Sequence, residues 1–428
     1  MHASALLLLL LLLLTPSGRS RAHVYAPQGF PIHTLSAFER SVLLECPCRV
    51  QQTRRDDADH TASKEISLCL PVVANAVQQS IATQQQQKKK KEVFAFSVTS
   101  TDQWKSYDWE QLTTVAWNED KELLCRAHSK GVKVVIKHNF DDVDKLCDPN
   151  VRAQWIQETY TRIVTNFADG VNIDTEKAMH GEIAKCMTAL VKELRQELQQ
   201  HAFTQQAQIT FDVSWAPRGV DGRYYQWKEL ADVVDFLFVM SYDMRSQIYY
   251  QCIAAANSPL ALVKQGLQEF ILGYGIDPKK LVLGVPWYGY KYTCEQYSEV
   301  ASVCGLRPVP FFGAPCSDAA GEQMDFGAIM KVVDEQQLAV QWDAMSQTPF
   351  VEVPGSAAAP GNSSGRGNTG AVQQIWFDDP RSLRLKYELV RELGLLGAGM
   401  WNADTLDYSG PRAHETRTMW AALASINE

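Results

Sequence analysis

The sequence predicts a (β/α)8 TIM barrel of the α/β class, a closed parallel sheet ringed by helices. Two observations predict it. From Glu92 onward, eight short β-rich runs alternate with longer stretches whose apolar residues recur at helical spacing. One of those runs, Asp169-Gly170-Val171-Asn172-Ile173-Asp174-Thr175-Glu176, carries its polar groups at the strand end where such barrels keep their chemistry. The structural rival is an open doubly wound sheet. No GxGxxG follows the first strand, which weakens that reading and a dinucleotide site with it.

The chain has 428 residues, of which 46% are hydrophobic, enough to bury a large core. A net charge of -8 argues against nucleic acid as the main partner. Leu6 to Leu14 is an unbroken leucine run followed by Ser20-Arg21-Ala22, so residues 1–22 read as a secretory signal peptide cut after Ala22. Nine leucines are too few to anchor a helix across a bilayer. The expected product is a soluble luminal protein with no membrane partner. Ten cysteines suit that route, because the secretory pathway permits disulfides. Cys46-Pro47-Cys48 is too close for mutual bridging, so each should pair elsewhere, while Cys294, Cys304 and Cys316 crowd one region where a local bridge is expected. Zinc is the competing use of CxC, but no CxxC or HxxxH companion exists, so no metal is expected. Asn362-Ser363-Ser364 is the one N-glycosylation sequon and lies in a Gly/Ser/Pro-rich loop.

Residues 23–91 read poorly as a domain. They end in a Gln/Lys tract without apolar period, which predicts a partly disordered segment or an insertion. From 92 to 428 the barrel elements follow in order. Strands are predicted at Val93 to Val98, Thr113 to Trp117, Lys133 to Lys137 and Gly170 to Glu176. Four more are predicted at Gln208 to Ser214, Asp235 to Tyr242, Lys280 to Trp287 and Gly397 to Trp401. Helices are expected at Lys121 to Lys130, Asn150 to Phe167, Ile183 to Leu198 and Ser382 to Leu393. The stretch from about 290 to 376 is too long for a βα loop and holds strand-like pieces of its own, so an inserted subdomain on the top face is expected after strand 7.

Alternation along the fourth strand places Gly170, Asn172, Asp174 and Glu176 on one face. Spacing alone leaves two readings open, solvated acids at a strand end or a crowded pair in which one carboxyl holds its proton near neutrality. Three further strand ends carry polar or aromatic groups. They are Met240-Ser241-Tyr242-Asp243, the run Leu281 to Tyr290 with Trp287, and Met400-Trp401-Asn402. Each is compatible with core packing, but four such ends at one barrel mouth favour a polar, aromatic-walled pocket.

DGVNIDTE, MSYD, LGVPWYGY and GMWN, in this order, resemble the motifs of glycoside hydrolase family 18, the chitinase family. The resemblance runs from Glu92 to the C-terminus and adds WKSYDW and GAPCSDAAG to the match. It implies that Glu176 is the acid that protonates the glycosidic oxygen and then serves as base toward water. This family is an exception to the two-carboxylate rule, because the 2-acetamido oxygen of the sugar is the nucleophile. The resemblance further implies that Asp174 steers the acetamido group and that the Tyr242 phenol hydrogen-bonds it. Asn172, Met240, Asp243, Trp287 and Trp401 are implied as substrate-binding positions, with Trp401 as the floor of the cleaved sugar's subsite. Where the family usually has Asp, this chain has Asn172, which removes the usual partner that shares a proton with Asp174.

The resemblance thus implies a retaining glycosidase that needs no cofactor and acts on N-acetylglucosamine oligosaccharides. Its closer branch implies cleavage of the GlcNAc-β1,4-GlcNAc core of N-linked oligosaccharides from the reducing end, in the lysosome. A monomer is expected. The alternatives are an endo-chitinase and a non-catalytic lectin of the same fold. Retention of Glu176, Asp174 and Tyr242 argues against the lectin.

Overall fold

The computed structural model describes residues 34–48, 68–72, 91–244, 251–355 and 371–427. Residues 1–22, expected to be a signal peptide, lie outside the described residues, as do Asn362 and most of the Gln/Lys tract. The strands in chain order begin with β1 (Glu92–Phe96), β2 (Thr114–Ala116), β3 (Lys133–Lys137), β4 (Gly170–Ile173), β5 (Gln208–Ser214), β6 (Phe236–Met240) and β7 (Leu281–Pro286). Seven short strands follow: β8 (Tyr288–Thr293), β9 (Gln296–Ser298), β10 (Val303–Gly305), β11 (Gly321–Asp325), β12 (Gln341–Asp343), β13 (Thr348–Val353) and β14 (Gln373–Trp376). The last strand is β15 (Gly397–Trp401).

The first seven strands and β15 close into a parallel barrel in the order β1-β15-β7-β6-β5-β4-β3-β2. The fold is the (β/α)8 barrel. Three of its helices begin where the sequence supplies side-chain caps. Asp120 receives the N–H groups of Glu122 and Leu123 at the head of Lys121–Ser129, and Asp148 with Pro149 opens Pro149–Thr165. Asp379 and Ser382 form a reciprocal capping box on Pro380–Glu392.

Strand parity divides the core into two layers. Val171, Ile173, Ile209, Phe211, Leu237, Val239, Leu283 and Val285 face the helices in one buried cluster. Phe94, Phe96, Phe236, Phe238 and Met240 belong to a second cluster inside the barrel. A Cβ on Gly284 would lie 2.4 Å from the Phe238 ring, and one on Gly399 would lie 2.2 Å from the Phe94 carbonyl oxygen. Those two glycines therefore make room for the phenylalanines that plug the barrel.

Between β7 and β15 a five-stranded antiparallel sheet, β11-β8-β14-β13-β12, stands beside the barrel mouth. The Cys294–Cys304 bridge closes the separate β9–β10 hairpin, and Cys252–Cys316 ties the segment before β11 to the segment after β6. At the other end of the chain, the described part of 23–91 includes the helix Ala37–Leu43. Cys46–Cys69 and Cys48–Cys125 fasten this segment to the helix Lys121–Ser129, so these sulfurs are spent on disulfides. Asp169, at the start of the opening motif, serves the same anchorage. Its carboxylate accepts from the backbone N–H groups of Val72 and Val134 and contacts His128 Nε2.

One boundary departs from expectation. Strand β4, predicted to run to Glu176, stops at Ile173. The Asp174 N–H donates to Asn139 Oδ1 at 2.8 Å instead of a ladder carbonyl, and Thr175 Oγ1 accepts from the Phe140 N–H. Side chains of the β3 loop thus peel the chain off the sheet, and both acids lie on the rim above it.

Candidate active site

The barrel interior becomes polar on one side, along β3, β4 and β5. Asn172 is fully buried there. Its Oδ1 accepts from Trp117 Nε1–H at 2.6 Å, and its Nδ2 donates to Thr210 Oγ1 at 2.9 Å and Asp212 Oδ1 at 2.8 Å. Asp174 comes next above it, with a side chain 10% exposed, and Lys137 Nζ donates to its Oδ2 at 3.2 Å. Burial, reinforced by the charge of Glu176, pushes the Asp174 carboxyl up to about 7, against the opposing pull of Lys137. The same ammonium lies 3.6 Å from the centre of the Trp117 ring.

Glu176 reaches furthest into the opening, its side chain 48% exposed. Arg223 Nη1 donates to its Oε2 at 2.9 Å, and Arg223 Nη2 donates to Asp221 Oδ2 at 2.7 Å. The Arg223 side chain is almost wholly buried, so it forms a fixed fork beneath the acid. Tyr225 OH, which donates to the Thr175 and Lys177 carbonyls, pins the loop carrying the acid.

Beyond β6 the chain turns sharply at Asp243, with φ of 52°. Its carboxylate accepts from Tyr288 OH at 2.7 Å and Tyr290 OH at 3.1 Å. Burial lifts Asp243 to about 6 despite those phenols. Tyr242 is buried beside it, its phenol held well above the usual range by burial and by the Asp212 charge. A cavity of about 410 Å³ opens here, lined by Glu176, Met240, Tyr242, Asp243, Arg223 and Trp215 among others. The antiparallel sheet and its loops supply the far wall through Tyr290, Ser317 and Asp318. Trp401 stands on the β1 side of the mouth, half-exposed, with ring centres 5.0 Å from Phe96 and 4.8 Å from Trp117. The peptide that follows it, Trp401–Asn402, is cis.

The mouth therefore gathers Asp174, Glu176, Met240, Tyr242, Asp243 and Trp401. Two positions expected at the sugar are corrected. Trp287 is fully buried, donates from Nε1 to Tyr387 OH at 3.1 Å and packs edge-on against Trp420. It shares the outward parity of Leu283 and Val285, which turns its indole to the helices rather than the mouth. Asn172 is likewise sealed off, because Asp174 and Lys137 lie over it and its polar atoms are spent on Trp117, Thr210 and Asp212.

Four residues of the site escaped the sequence reading: Asp212, Arg223, Lys137 and Trp117. Asp212 had a signal. In Gln208-Ile209-Thr210-Phe211-Asp212-Val213-Ser214 every other residue is polar, a stripe that had to face the barrel interior. Lys137 closes its strand in the same way. Arg223 lies in an irregular loop and has no local pattern.

Comparison with known proteins identifies the family. The profile of "Glycosyl hydrolases family 18" matches residues 71–405. The chain is 40% identical over 395 residues to di-N-acetylchitobiase of Rattus norvegicus, an alignment covering 91% of this chain and 95% of the relative. It is 43% identical over 338 residues to the Homo sapiens protein of the same name, covering 78% and 83% of the two chains. A mutant class V chitinase from Nicotiana tobaccum, solved in complex with NAG4, superposes with a TM-score of 0.60 at 17% identity, over 77% of this chain and 99% of that one. That last likeness bears on the fold alone. The chain belongs to glycosyl hydrolases family 18 and is a glycoside hydrolase.

Proposed function

We propose that this glycosidase splits the GlcNAc-β1,4-GlcNAc bond of chitobiose units by substrate-assisted retaining catalysis. The observation that carries this reading is the arrangement of Asp174 and Glu176. One acid is buried and holds its proton near neutrality, and the other is exposed at the cavity wall. Environments that separate two carboxyls in this way assign them different tasks.

Glu176 donates its proton to the glycosidic oxygen as the bond from that oxygen to C1 breaks. The acetamido oxygen of the same sugar attacks C1 and closes an oxazolinium ring. A tethered nucleophile has high effective molarity, so the protein need not supply one. Asp174 accepts the acetamido N–H and offsets the positive charge, and the Tyr242 phenol hydrogen-bonds the acetamido oxygen. Water then loses a proton to Glu176 and opens the ring with its configuration retained. Trp401 gives the sugar an aromatic floor, and Met240 and Asp243 line the other side. The names of the relatives support chitobiose as substrate, and the N-terminal leucine run with five disulfides suits the secretory route; lysosomal action from the reducing end is what the resemblance to that branch implies.

A second reading, endo-cleavage of longer chains, draws on one observation. A second cavity of about 420 Å³ adjoins the first and shares Trp215, Val220 and Asp221 with it, room for further sugars. Two experiments test these readings. Glu176→Gln should abolish chitobiose turnover while the fold and oligosaccharide binding survive; undiminished turnover refutes the assignment of the acid. With chitotriose labelled at its reducing end, early release of labelled monosaccharide supports exo action, and internal cuts in longer chains support endo action.

A further inference from the structure

The closed strand order splits the mouth into two halves. β4 and β15 stand four places apart in a ring of eight, so Glu176 and Trp401 stand on opposite sides of it. The cavity of about 410 Å³ belongs to the Glu176 half, with walls from the segments after β4, β5 and β6 and from the insertion. With the cleaved sugar on Trp401 and its glycosidic oxygen at Glu176, the sugar beyond the bond enters this cavity. Three buried donors that line it, Trp215 Nε1, Arg223 Nε and Ser317 Oγ, have no hydrogen-bond partner among the described residues. The hydroxyl and acetamido oxygens of a leaving sugar supply acceptors for such groups.

A tight turn closes the cavity at its far end. The Phe311 N–H donates to the Ala314 carbonyl at 3.0 Å, and the Ala314 N–H donates back at 2.9 Å. Between them Phe312 and Gly313 have φ of 43° and 82°. Such mirror-image turns suit glycine, and a phenylalanine held there is strained. Strain of this kind persists only where neighbours over-determine it. Here the Phe312 ring is seated on the loop after β5, where a Cβ on Gly222 would come within 3.2 Å of it. The turn thus reaches from the insertion to the opposite wall. Two residues on, the Cys252–Cys316 bridge ties the same segment to the chain after β6. Phe311 lines the first cavity, whereas Phe312 and Ala314 line the second, so the turn stands between them.

We infer that the Phe311–Ala314 turn is the specificity-determining wall that ends the leaving-group side of the cleft, an inference resting on the reducing-end reading above. One N-acetylglucosamine with a free C1 hydroxyl lies in front of the turn. A further sugar or a peptide joined at that C1 meets it. Discrimination of this kind comes from a clash built against the longer substrate. The second cavity lies behind the turn, so its volume becomes room for substrate only when the turn moves aside.

The test compares kcat/KM for the GlcNAc–GlcNAc bond in two substrates. One is free chitobiose, and the other is chitobiose joined through C1 of its reducing sugar to the asparagine of a tripeptide. The wild-type enzyme should cleave the blocked substrate at least about a hundredfold more slowly. Phe312→Gly removes the ring seated on Gly222 and suits the positive φ, so the fold survives while the wall loosens. The blocked-to-free ratio should rise at least about tenfold, with free chitobiose cleaved within about threefold of the wild-type rate. Phe312→Tyr keeps the ring and should keep the wild-type ratio. Cys252→Ser with Cys316→Ser releases the segment from its other tie and should raise the ratio too; Phe312→Gly carries the test if that pair does not fold. A ratio in Phe312→Gly equal to that of wild type overturns the inference. A wild-type enzyme that cleaves both substrates alike sinks the reducing-end reading itself, a result distinct from an exo enzyme whose ratio ignores the turn.

Discussion

Replacing Asp174 by Asn should stabilise the fold at pH 8 and end turnover in the same stroke. An ordinary Asp titrates near 3.8, and burial moves this one to about 7. Between those pH values the unfolded chain is ionised at this position while the folded chain keeps a proton. Wild-type stability therefore falls as pH rises from 4 to 7, then levels once both states are ionised. The difference between 3.8 and about 7, at about 1.36 kcal/mol per tenfold, amounts to about 4 kcal/mol of lost stability at pH 8. Asn carries no charge to desolvate and escapes that loss. Lys137, its side chain 40% exposed, can exchange its carboxylate for water and remain over Trp117, which limits the opposing cost. Guanidinium unfolding of both proteins at pH 4, 6 and 8 measures the effect. The variant should match wild type at pH 4 and gain steadily to pH 8, where kcat should be down about a hundredfold or more. A stability difference that does not change with pH, or a variant weaker than wild type at pH 8, refutes the reasoning.

Three substitutions test the frame around that acid. Arg223→Lys leaves one ammonium where a fork served Glu176 and Asp221 together, so kcat should fall about tenfold with KM little changed, read from initial rates. Trp287→Ala opens a cavity under the helices and should cost about 3–5 kcal/mol in denaturant unfolding without raising KM. Trp401→Ala should do the reverse, raising KM at least about tenfold for less than about 2 kcal/mol of stability.

The barrel was legible because its strands obey local rules. β3, β5 and β15 fall on their predicted limits, and the helices Lys121–Ser129, Pro149–Thr165 and Pro380–Glu392 begin at Asp caps visible in the chain. DGVNIDTE and MSYD were legible for the same reason: their residues are neighbours in sequence. What the reading missed depends on contacts between distant segments. Trp287 and Trp401 each end a strand run beside small residues, yet one faces helices and the other the mouth. Only the closed sheet assigns their parity, because a twisted barrel sets inside and outside by register rather than by hydrophobicity. Arg223 stands 47 positions from Glu176, and no local pattern announces their ion pair.

Asn172 marks the division most clearly. The sequence alone determined that position 172 cannot hold a proton and that Asp174 and Glu176 lie near one another at a strand end. Only the tertiary structure decided that Asn172 is sealed within the barrel and that Asp212 of the next strand accepts from its amide. Proton affinity is set by everything within a few ångströms, and in a barrel those neighbours come from strands some forty residues away.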